Sequence, residues 1–146
     1  MKISSTKFRG LKIFNGKTHL DKRGAFRELF VKKRVKGFQG IFWCMSRSKK
    51  NVVRGLHIQK KINQAKYVSV VKGKIFDVAL DLRKKSKTFG KYFAIILSDK
   101  NSSQFIYQKD LHMVLWEWPR KTTLFTQILI IGQKKMKLEL FGMIKI

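Results

Sequence analysis

Two stretches of strand-like sequence meet at the dipeptide Lys72-Gly73, which reads as a turn. Gln64–Val71 is rich in β-branched residues, and Lys74–Leu82 returns as a second strand with strict alternation. Because side chains alternate across a strand, the second stretch has two distinct faces. One face carries Phe76, Val78 and Leu80, and the other carries Asp77, Ala79 and Asp81.

Further strands are predicted at Phe26–Val31, Gly40–Met45 and Lys91–Leu97, and no segment shows a sustained helical period. Short strands at this spacing are typical of an all-β sandwich or a small β-barrel. The chain of 146 residues is one domain by length, and its 44% hydrophobic content is that of a globular protein.

The only cysteine, Cys44, excludes an intrachain disulfide and suits a reducing compartment. The sequence starts without the apolar stretch of a signal peptide, and no apolar run approaches the roughly 18 residues of a membrane span. We therefore expect a cytoplasmic protein with no membrane partner.

The charge is strongly positive, with 34 Lys and Arg against 8 Asp and Glu, for a net +26. The basic residues are scattered in short runs and do not alternate with aromatics as in a single-strand binder. The charge therefore does not favour a nucleic-acid partner, although a non-enzymatic basic nucleic-acid-binding protein remains the competing class of function.

A candidate site lies around His57. Arg54 precedes it by three residues, and Lys66 opens the next strand on the same face as apolar residues. A cation among core residues needs a partner or a function, and Asp77 on the returning strand is a possible partner. His57 as a catalytic base and a purely structural Lys66–Asp77 ion pair are both open at this point.

Several motifs occur together in this chain. They are V-V-R-G-L-H-I-Q (52–59), Q-A-K-Y-V (64–68), F-D-V-A-L-D-L-R (76–83), S-K-T-F-G-K (86–91) and the pattern D-x-R-G-x-F-x-E from Asp21. Together they resemble the dTDP-4-dehydrorhamnose 3,5-epimerase family over roughly Asp21 to Ile106. The resemblance implies a jelly-roll β-barrel of the cupin kind. It also implies inversion of C3 and C5 of a dTDP-4-keto-6-deoxy sugar, in dTDP-rhamnose and polysaccharide biosynthesis.

The resemblance also implies roles for residues that match the motifs. His57 matches the base that removes a proton next to the ketone, and Lys66 matches the lysine that stabilises the resulting enolate oxygen. Arg54, Gln59 and Asp77 match positions in the substrate pocket.

Arg23, Phe26 and Glu28 match a segment that holds the nucleotide, partly across the interface of a homodimer. The resembling enzymes need no cofactor, and the three histidines of this chain lack metal-ligand spacing. A positive field would help to attract a nucleotide-sugar substrate, which is itself a diphosphate.

One departure from the family lies before the arginine motif, where the family often has Q-x-N-x-S-x-S. This chain keeps the serines but has Phe42 and Cys44 in place of the amides. A nucleotide-sugar ketoisomerase or a heptose epimerase on the same barrel is therefore the alternative within the class, and Cys44 is expected to be a small core residue.

The resemblance stops after Ile106, where the family continues with P-K-G-F and a second histidine. Residues 107–118 instead read Y-Q-K-D-L-H-M-V-L-W-E-W. This stretch can be back-translated into codons and then read in a shifted frame, in which each new codon takes the last base of one codon and the first two bases of the next. With third bases that the genetic code permits, the shifted frame encodes P-K-G-F-T-H-G-F-V-G-M. Near the end, the same frame permits W-N-D, another motif of the family.

We therefore predict that one base is missing near the codons of Ile106 and Tyr107. Residues 1–106 would form the epimerase-like barrel portion, and 107–146 a frame-shifted, aberrant tail that leaves the C-terminal part incomplete. The alternative is a true divergent C-terminus. In the family, the tyrosine that returns the proton and the carboxylate that orients the histidine both follow the break, so inversion should suffer more than proton removal. Tyr107 is not assigned that role, because its position arises only from the shifted frame.

Overall fold

The structure is a computed structural model and describes residues 2–36, 38, 42–49, 52–54, 65–107, 113–118 and 124–132. Over this part of the chain the secondary structure is β-strand apart from one short 3-10 helix, Lys32–Arg34, which confirms the predicted all-β class. In chain order the strands are β1 (Lys2–Ser5), β2 (Leu11–Asn15), β3 (Thr18–Asp21), β4 (Gly24–Arg27), β5 (Phe42–Lys49), β6 (Ala65–Lys72), β7 (Lys74–Asp81), β8 (Tyr92–Ser98), β9 (Ser103–Tyr107), β10 (Met113–Trp118) and β11 (Leu124–Gly132).

The strands form two main sheets and a small one, and all of their pairings are antiparallel. The large sheet has the order β1-β2-β9-β6-β11-β5, the second has the order β10-β7-β8, and β3 with β4 forms the small one. Buried residues of the two main sheets pack against each other in one apolar cluster. That cluster contains Phe8, Leu11, Val68, Val70, Ile75, Ala79, Leu97, Phe105 and Tyr107.

The turn at Gly73 carries the chain from one sheet to the other. Gly73 has a φ of 84°, a left-handed conformation that favours glycine. The Gly73 N–H donates to Asp99 Oδ2 at 2.9 Å, and the Asp99 N–H donates to the Gly73 carbonyl oxygen at 3.0 Å. The predicted strands on both sides of the turn are present, but β6 and β7 pair with other strands and lie in different sheets.

A second apolar cluster covers the other face of the large sheet. It contains Phe14, Val35, Phe38, Ala65, Tyr67 and Ile106, with Phe30 packed against it. The rings of Phe30 and Tyr67 lie 5.2 Å apart in an edge-to-face arrangement. The segment that follows β4 therefore serves as a cover for this sheet.

This cover explains why the predicted strand Phe26–Val31 is wrong in its second half. The strand is Gly24–Arg27, and residues 28–31 leave it. The Arg27 guanidinium donates to the carbonyl oxygens of Val70 at 2.6 Å and Asp99 at 3.2 Å. This anchor turns the following residues towards the apolar cluster, and the gain from burial outweighs the local strand propensity.

Two strands come from the predicted tail. β10 pairs with β7 from Met113 opposite Asp81 to Trp118 opposite Phe76, and β11 lies between β6 and β5. Backbone pairing does not report a reading frame, so the division of the chain at residues 106 and 107 stays a prediction. No helix in the described part of the chain is long and apolar enough to cross a membrane.

Candidate active site

Lys66 lies on the face of β6 that points between the two sheets. Val68 and Val70 on the same face are fully buried, and Lys66 itself is half-buried. The alternation along this strand therefore places a cation beside the apolar core, as predicted from the sequence. An ammonium group in such surroundings interacts more strongly with a developing negative charge than it would in bulk water.

Asp77 reaches the same region from the opposite sheet. It is fully buried on β7, between the buried side chains of Ile75 and Ala79. The hydroxyl of Tyr107 donates to its Oδ1 at 2.7 Å, and Tyr107 is only 2% exposed. Tyr107 is the register partner of Lys66 across the β6–β9 pair. The Tyr107–Asp77 hydrogen bond and the Lys66–Tyr107 strand pairing thus bring polar residues from three strands to one region between the sheets.

The inner face of β5 borders this region. Register through β11 aligns Cys44 with Val68, and Ser46 with Val70, so both lie on the inner side of the large sheet. The Ser46 hydroxyl oxygen is buried and has no hydrogen-bond partner among the described residues. A buried hydroxyl of this kind suits a ligand that would supply the missing partner.

Arg54 is held at the end of the same strand. Its Nε donates to the Ser48 hydroxyl at 2.6 Å, and Ser48 is itself buried. A second N–H group of the guanidinium, at Nη2, donates to the Arg47 carbonyl oxygen at 3.4 Å. The structure therefore places Arg54 beside the inner face of β5, where a donor to a substrate oxygen would be useful.

Cys44 is half-buried on the inner face of β5, whereas the sequence predicts a small core residue at this position. Burial raises the pKa of its thiol, and the positive charge of Lys66 partly opposes this shift. The thiol is therefore protonated at neutral pH, which does not favour a nucleophile. The electrostatic influence of Lys66 places Cys44 on the border of the site.

Of the residues predicted to hold the nucleotide, Arg23 and Phe26 lie on the separate hairpin formed by β3 and β4, and Glu28 follows β4 directly. Arg23 pairs with Asp21 at 2.6 Å in solvent, and the hydrogen bonds from Arg23 lower the pKa of Asp21. Phe26 is 69% exposed, and Glu28 pairs with Arg34. An aromatic ring and an arginine exposed on one hairpin are available to a ligand or to a second protein chain.

His57 and Gln59 lie outside the described residues. Their assigned roles therefore stay predictions from the motif. The described residues contain no cluster of three His, Cys, Asp or Glu side chains that could hold a metal ion.

Tyr107 lies beside Asp77 and Lys66, although the sequence analysis did not place it among the candidate site residues. The signal that could have revealed it is the alternation of Q-F-I-Y along β9, which puts Phe105 and Tyr107 on one face. The core position of that face became clear only from the pairing of β9 with β6.

Asp81 lies on the same face of β7 as Asp77 but has a structural role. It accepts hydrogen bonds from the Arg83 guanidinium at 2.7 and 2.8 Å and from the hydroxyls of Ser86 and Thr88 at 2.6 and 2.5 Å. Burial alone would raise the pKa of Asp81, but these hydrogen bonds outweigh it and lower the pKa well below its usual range. The network fixes the loop between β7 and β8.

Two facing antiparallel sheets with a core between them are the architecture of β-sandwich and jelly-roll proteins. The sequence model of the family described as dTDP-4-dehydrorhamnose 3,5-epimerase matches residues 5–112. The chain belongs to this family. The match starts before and ends after the region Asp21–Ile106 on which the motifs lie.

Curated relatives support the family. The chain is 39% identical over 104 residues to the dTDP-4-dehydrorhamnose 3,5-epimerase of Methanothermobacter thermautotrophicus. This alignment covers 68% of this chain and 56% of the relative. It is 36% identical over 110 residues to the corresponding enzyme of Escherichia coli. That alignment covers 71% of this chain and 60% of the relative. The chain thus spans less than two thirds of the length of these relatives.

Solved structures support the fold over more of the chain. The Legionella pneumophila epimerase RmlC, in complex with dTDP-4-keto-L-rhamnose, has a TM-score of 0.84 at 34% identity, covering 92% of this chain and 73% of that one. The Bacillus anthracis dTDP-4-dehydrorhamnose 3,5-epimerase, with TDP and PPi bound, has a TM-score of 0.79 at 28% identity, covering 92% and 79%. The predicted jelly-roll architecture is confirmed.

Proposed function

We propose that this chain epimerises a dTDP-linked 4-keto-6-deoxy sugar by removing the protons next to the ketone at C3 and C5. Its membership of the family and its likeness to a structure in complex with dTDP-4-keto-L-rhamnose support this substrate class. The observation that carries the proposal is the position of Lys66, a half-buried cation on an apolar inner face beside a buried tyrosine and carboxylate.

The reaction needs a base and a group that stabilises negative charge. A proton next to a ketone becomes removable when the electron pair moves onto the ketone oxygen as an enolate. His57 takes the proton, and the ammonium group of Lys66 stabilises the enolate oxygen. The low polarity around Lys66 strengthens that interaction, because water competes poorly for the charge there.

The remaining residues bind the substrate in this proposal. Arg54 and Gln59 contact the sugar, with Asp77 as the acidic residue of the pocket. The exposed hairpin of β3 and β4 holds the nucleotide through Arg23, Phe26 and Glu28, and a second copy of the chain completes this part of the site. We therefore propose a cytoplasmic homodimer, which light scattering would detect at twice the chain mass of 17.2 kDa.

The first experiment follows deuterium exchange from solvent into C3 and C5 of the dTDP-4-keto-6-deoxy sugar by NMR. We expect the chain to catalyse exchange and the variant His57→Ala to lose it, since His57 is the proposed base. We also expect inversion to be much slower than exchange, because the proton-returning tyrosine of the family belongs to the segment that we predict to be frame-shifted in this chain.

A folded chain that shows no exchange would contradict the proposal. Tight, salt-sensitive binding of DNA without exchange would support the competing class of basic binding proteins instead. Circular dichroism of His57→Ala must match that of the parent chain, so that the loss of exchange reports chemistry and not unfolding.

A further inference from the structure

The hydrogen bond between Tyr107 and Asp77 connects the first residue beyond the motif-matched region to the site. The bond is 2.7 Å long, and its partners are 2% and 0% exposed. A buried carboxylate is costly without donors, and an O–H donor to a charged oxygen is among the stronger hydrogen bonds. The phenol therefore contributes to keeping the Asp77 carboxylate in one orientation.

The surroundings of Tyr107 hold the phenol itself in place. Its ring packs edge-to-face on Phe105 at 4.7 Å, and its backbone is paired with Leu11 on one side and with Lys66 on the other. A side chain fixed by packing and by two strand neighbours loses little additional freedom when it makes a hydrogen bond.

The groups around Asp77 come from four strands. Tyr107 faces it from β9, and Lys66 lies beside Tyr107 on the inner face of β6. In the three-stranded sheet β10-β7-β8, the backbone of Asp77 pairs with Ile95 of β8 and with Glu117 of β10. Among these groups, Tyr107 supplies a neutral donor at a direct hydrogen-bonding distance.

We propose that Tyr107 is a positioning residue of this site, whose phenol holds the Asp77 carboxylate ionised and oriented beside Lys66. This inference rests on the proposed epimerase function. Tyr107 acts through Asp77 and is not the group that returns the proton to the sugar. The proposal concerns the chain with tyrosine at position 107, a residue that would change if the predicted missing base were restored.

Tyr67 provides a matched control. It is a fully buried tyrosine next to Lys66 in the chain, and its hydroxyl also donates to a buried side chain, that of Gln104. However, it points into the apolar cluster on the opposite face of the large sheet. Tyr67→Phe thus removes a buried phenolic donor without touching the site.

The first arm of the test measures stability by urea unfolding, so it does not depend on the proposed function. Tyr107→Phe, Asp77→Asn and their combination form a double-mutant cycle. We expect the two effects to be strongly non-additive, whereas Tyr67→Phe and Asp77→Asn should add. Additive effects in the first cycle would overturn the proposal, because the phenol would then not act through Asp77.

The second arm measures solvent exchange of the sugar protons. We expect Tyr107→Phe to slow exchange about tenfold, as for the loss of one charge-assisted hydrogen bond, and to move the low-pH limb of the rate profile to higher pH. Tyr67→Phe should keep both the rate and the profile. An unchanged rate and profile in Tyr107→Phe would overturn the positioning role even if the stability cycle shows coupling.

The two arms separate the two proposals. Absence of exchange in the parent chain would overturn the epimerase function and with it the catalytic consequence of Tyr107, while the stability cycle would still show whether the hydrogen bond forms. Exchange in the parent chain with an unaffected Tyr107→Phe variant would overturn the positioning role alone.

Discussion

Lys66 carries its charge on a strand face whose next two inward side chains are fully buried valines. We predict that Lys66→Met lowers the rate of sugar-proton exchange by about 100-fold, because the enolate oxygen loses its cation. Methionine retains the length and apolar character of the stem, so the free energy of unfolding should not fall. NMR exchange rates and urea unfolding measure the two quantities.

Lys74→Met is the control for this prediction. Lys74 is exposed at the start of β7, so the same substitution removes a lysine charge outside the inner face. If both variants lost the same fraction of the parent chain's exchange rate, exchange would depend on the net charge of the chain and not on Lys66.

Asp81 shows how a buried carboxylate can stabilise a fold. The pKa of Asp81 lies below its unfolded value of about 3.9, so the stabilisation is complete above roughly pH 5. It is lost as the pH falls below 4 towards the folded-state pKa. We predict that Asp81→Asn costs about 1–3 kcal/mol at pH 7 and flattens the decrease in stability between pH 5 and 2.

Urea unfolding across this pH range checks the prediction, with Asp21→Asn as the control. Asp21 also pairs with an arginine two residues later, but the pair is exposed to solvent, and its loss should have no measurable effect. A similar pH dependence in the parent chain and Asp81→Asn would show that other carboxylates control acid unfolding.

At the level of elements, β11 determines whether the tail is part of the fold. Its backbone is paired with β5 on one side and with β6 on the other. A proline in such a central strand removes a ladder donor and clashes with its neighbours. We predict that Ile128→Pro lowers the free energy of unfolding by about 3 kcal/mol or more, or prevents folding.

Ile128→Val is the matched control, because it keeps the backbone donor and the β-branched shape. The temperature of unfolding by circular dichroism compares the two variants. If Ile128→Pro unfolds at the same temperature as the parent, β11 is dispensable, and residues 1–106 with β10 carry the fold.

The elements also show where sequence patterns succeed. The alternation in β6 and β7 predicted both strands and placed Lys66 with Val68 and Val70, because the two-residue period is a local property of extended backbone. The half-wrong strand Phe26–Val31 failed for a non-local reason. Arg27 is anchored to Val70 and Asp99, which are distant in sequence.

At the level of the whole molecule, the reading frame decides which protein the gene encodes. We predict that resequencing across the codons of Phe105–Lys109 finds a missing base whose restoration gives P-K-G-F. The restored frame would change the residues that follow the added base, and the mass of the intact protein would then differ from 17.2 kDa. A mass of 17.2 kDa together with an unchanged DNA sequence would show that residues 107–146 are the true C-terminus.

The sequence by itself determined the all-β class, the family and most candidate site residues. Strand alternation and motif spacing are local properties that can be read without knowing which strands pair. They identified Lys66, Arg54 and Asp77, and the structure places Lys66 and Asp77 between the two sheets and Arg54 beside the inner face of β5.

Only the tertiary structure decided which face of β7 is buried and what surrounds Asp77. The face that carries Asp77 and Asp81 points inward, although Phe76, Val78 and Leu80 on the other face are more apolar. This choice depends on donors from elsewhere in the chain, Tyr107 for Asp77 and the Arg83 loop for Asp81. A buried carboxylate is stable only with such partners, and the packing of the two main sheets against each other brings Tyr107 of one sheet to Asp77 of the other.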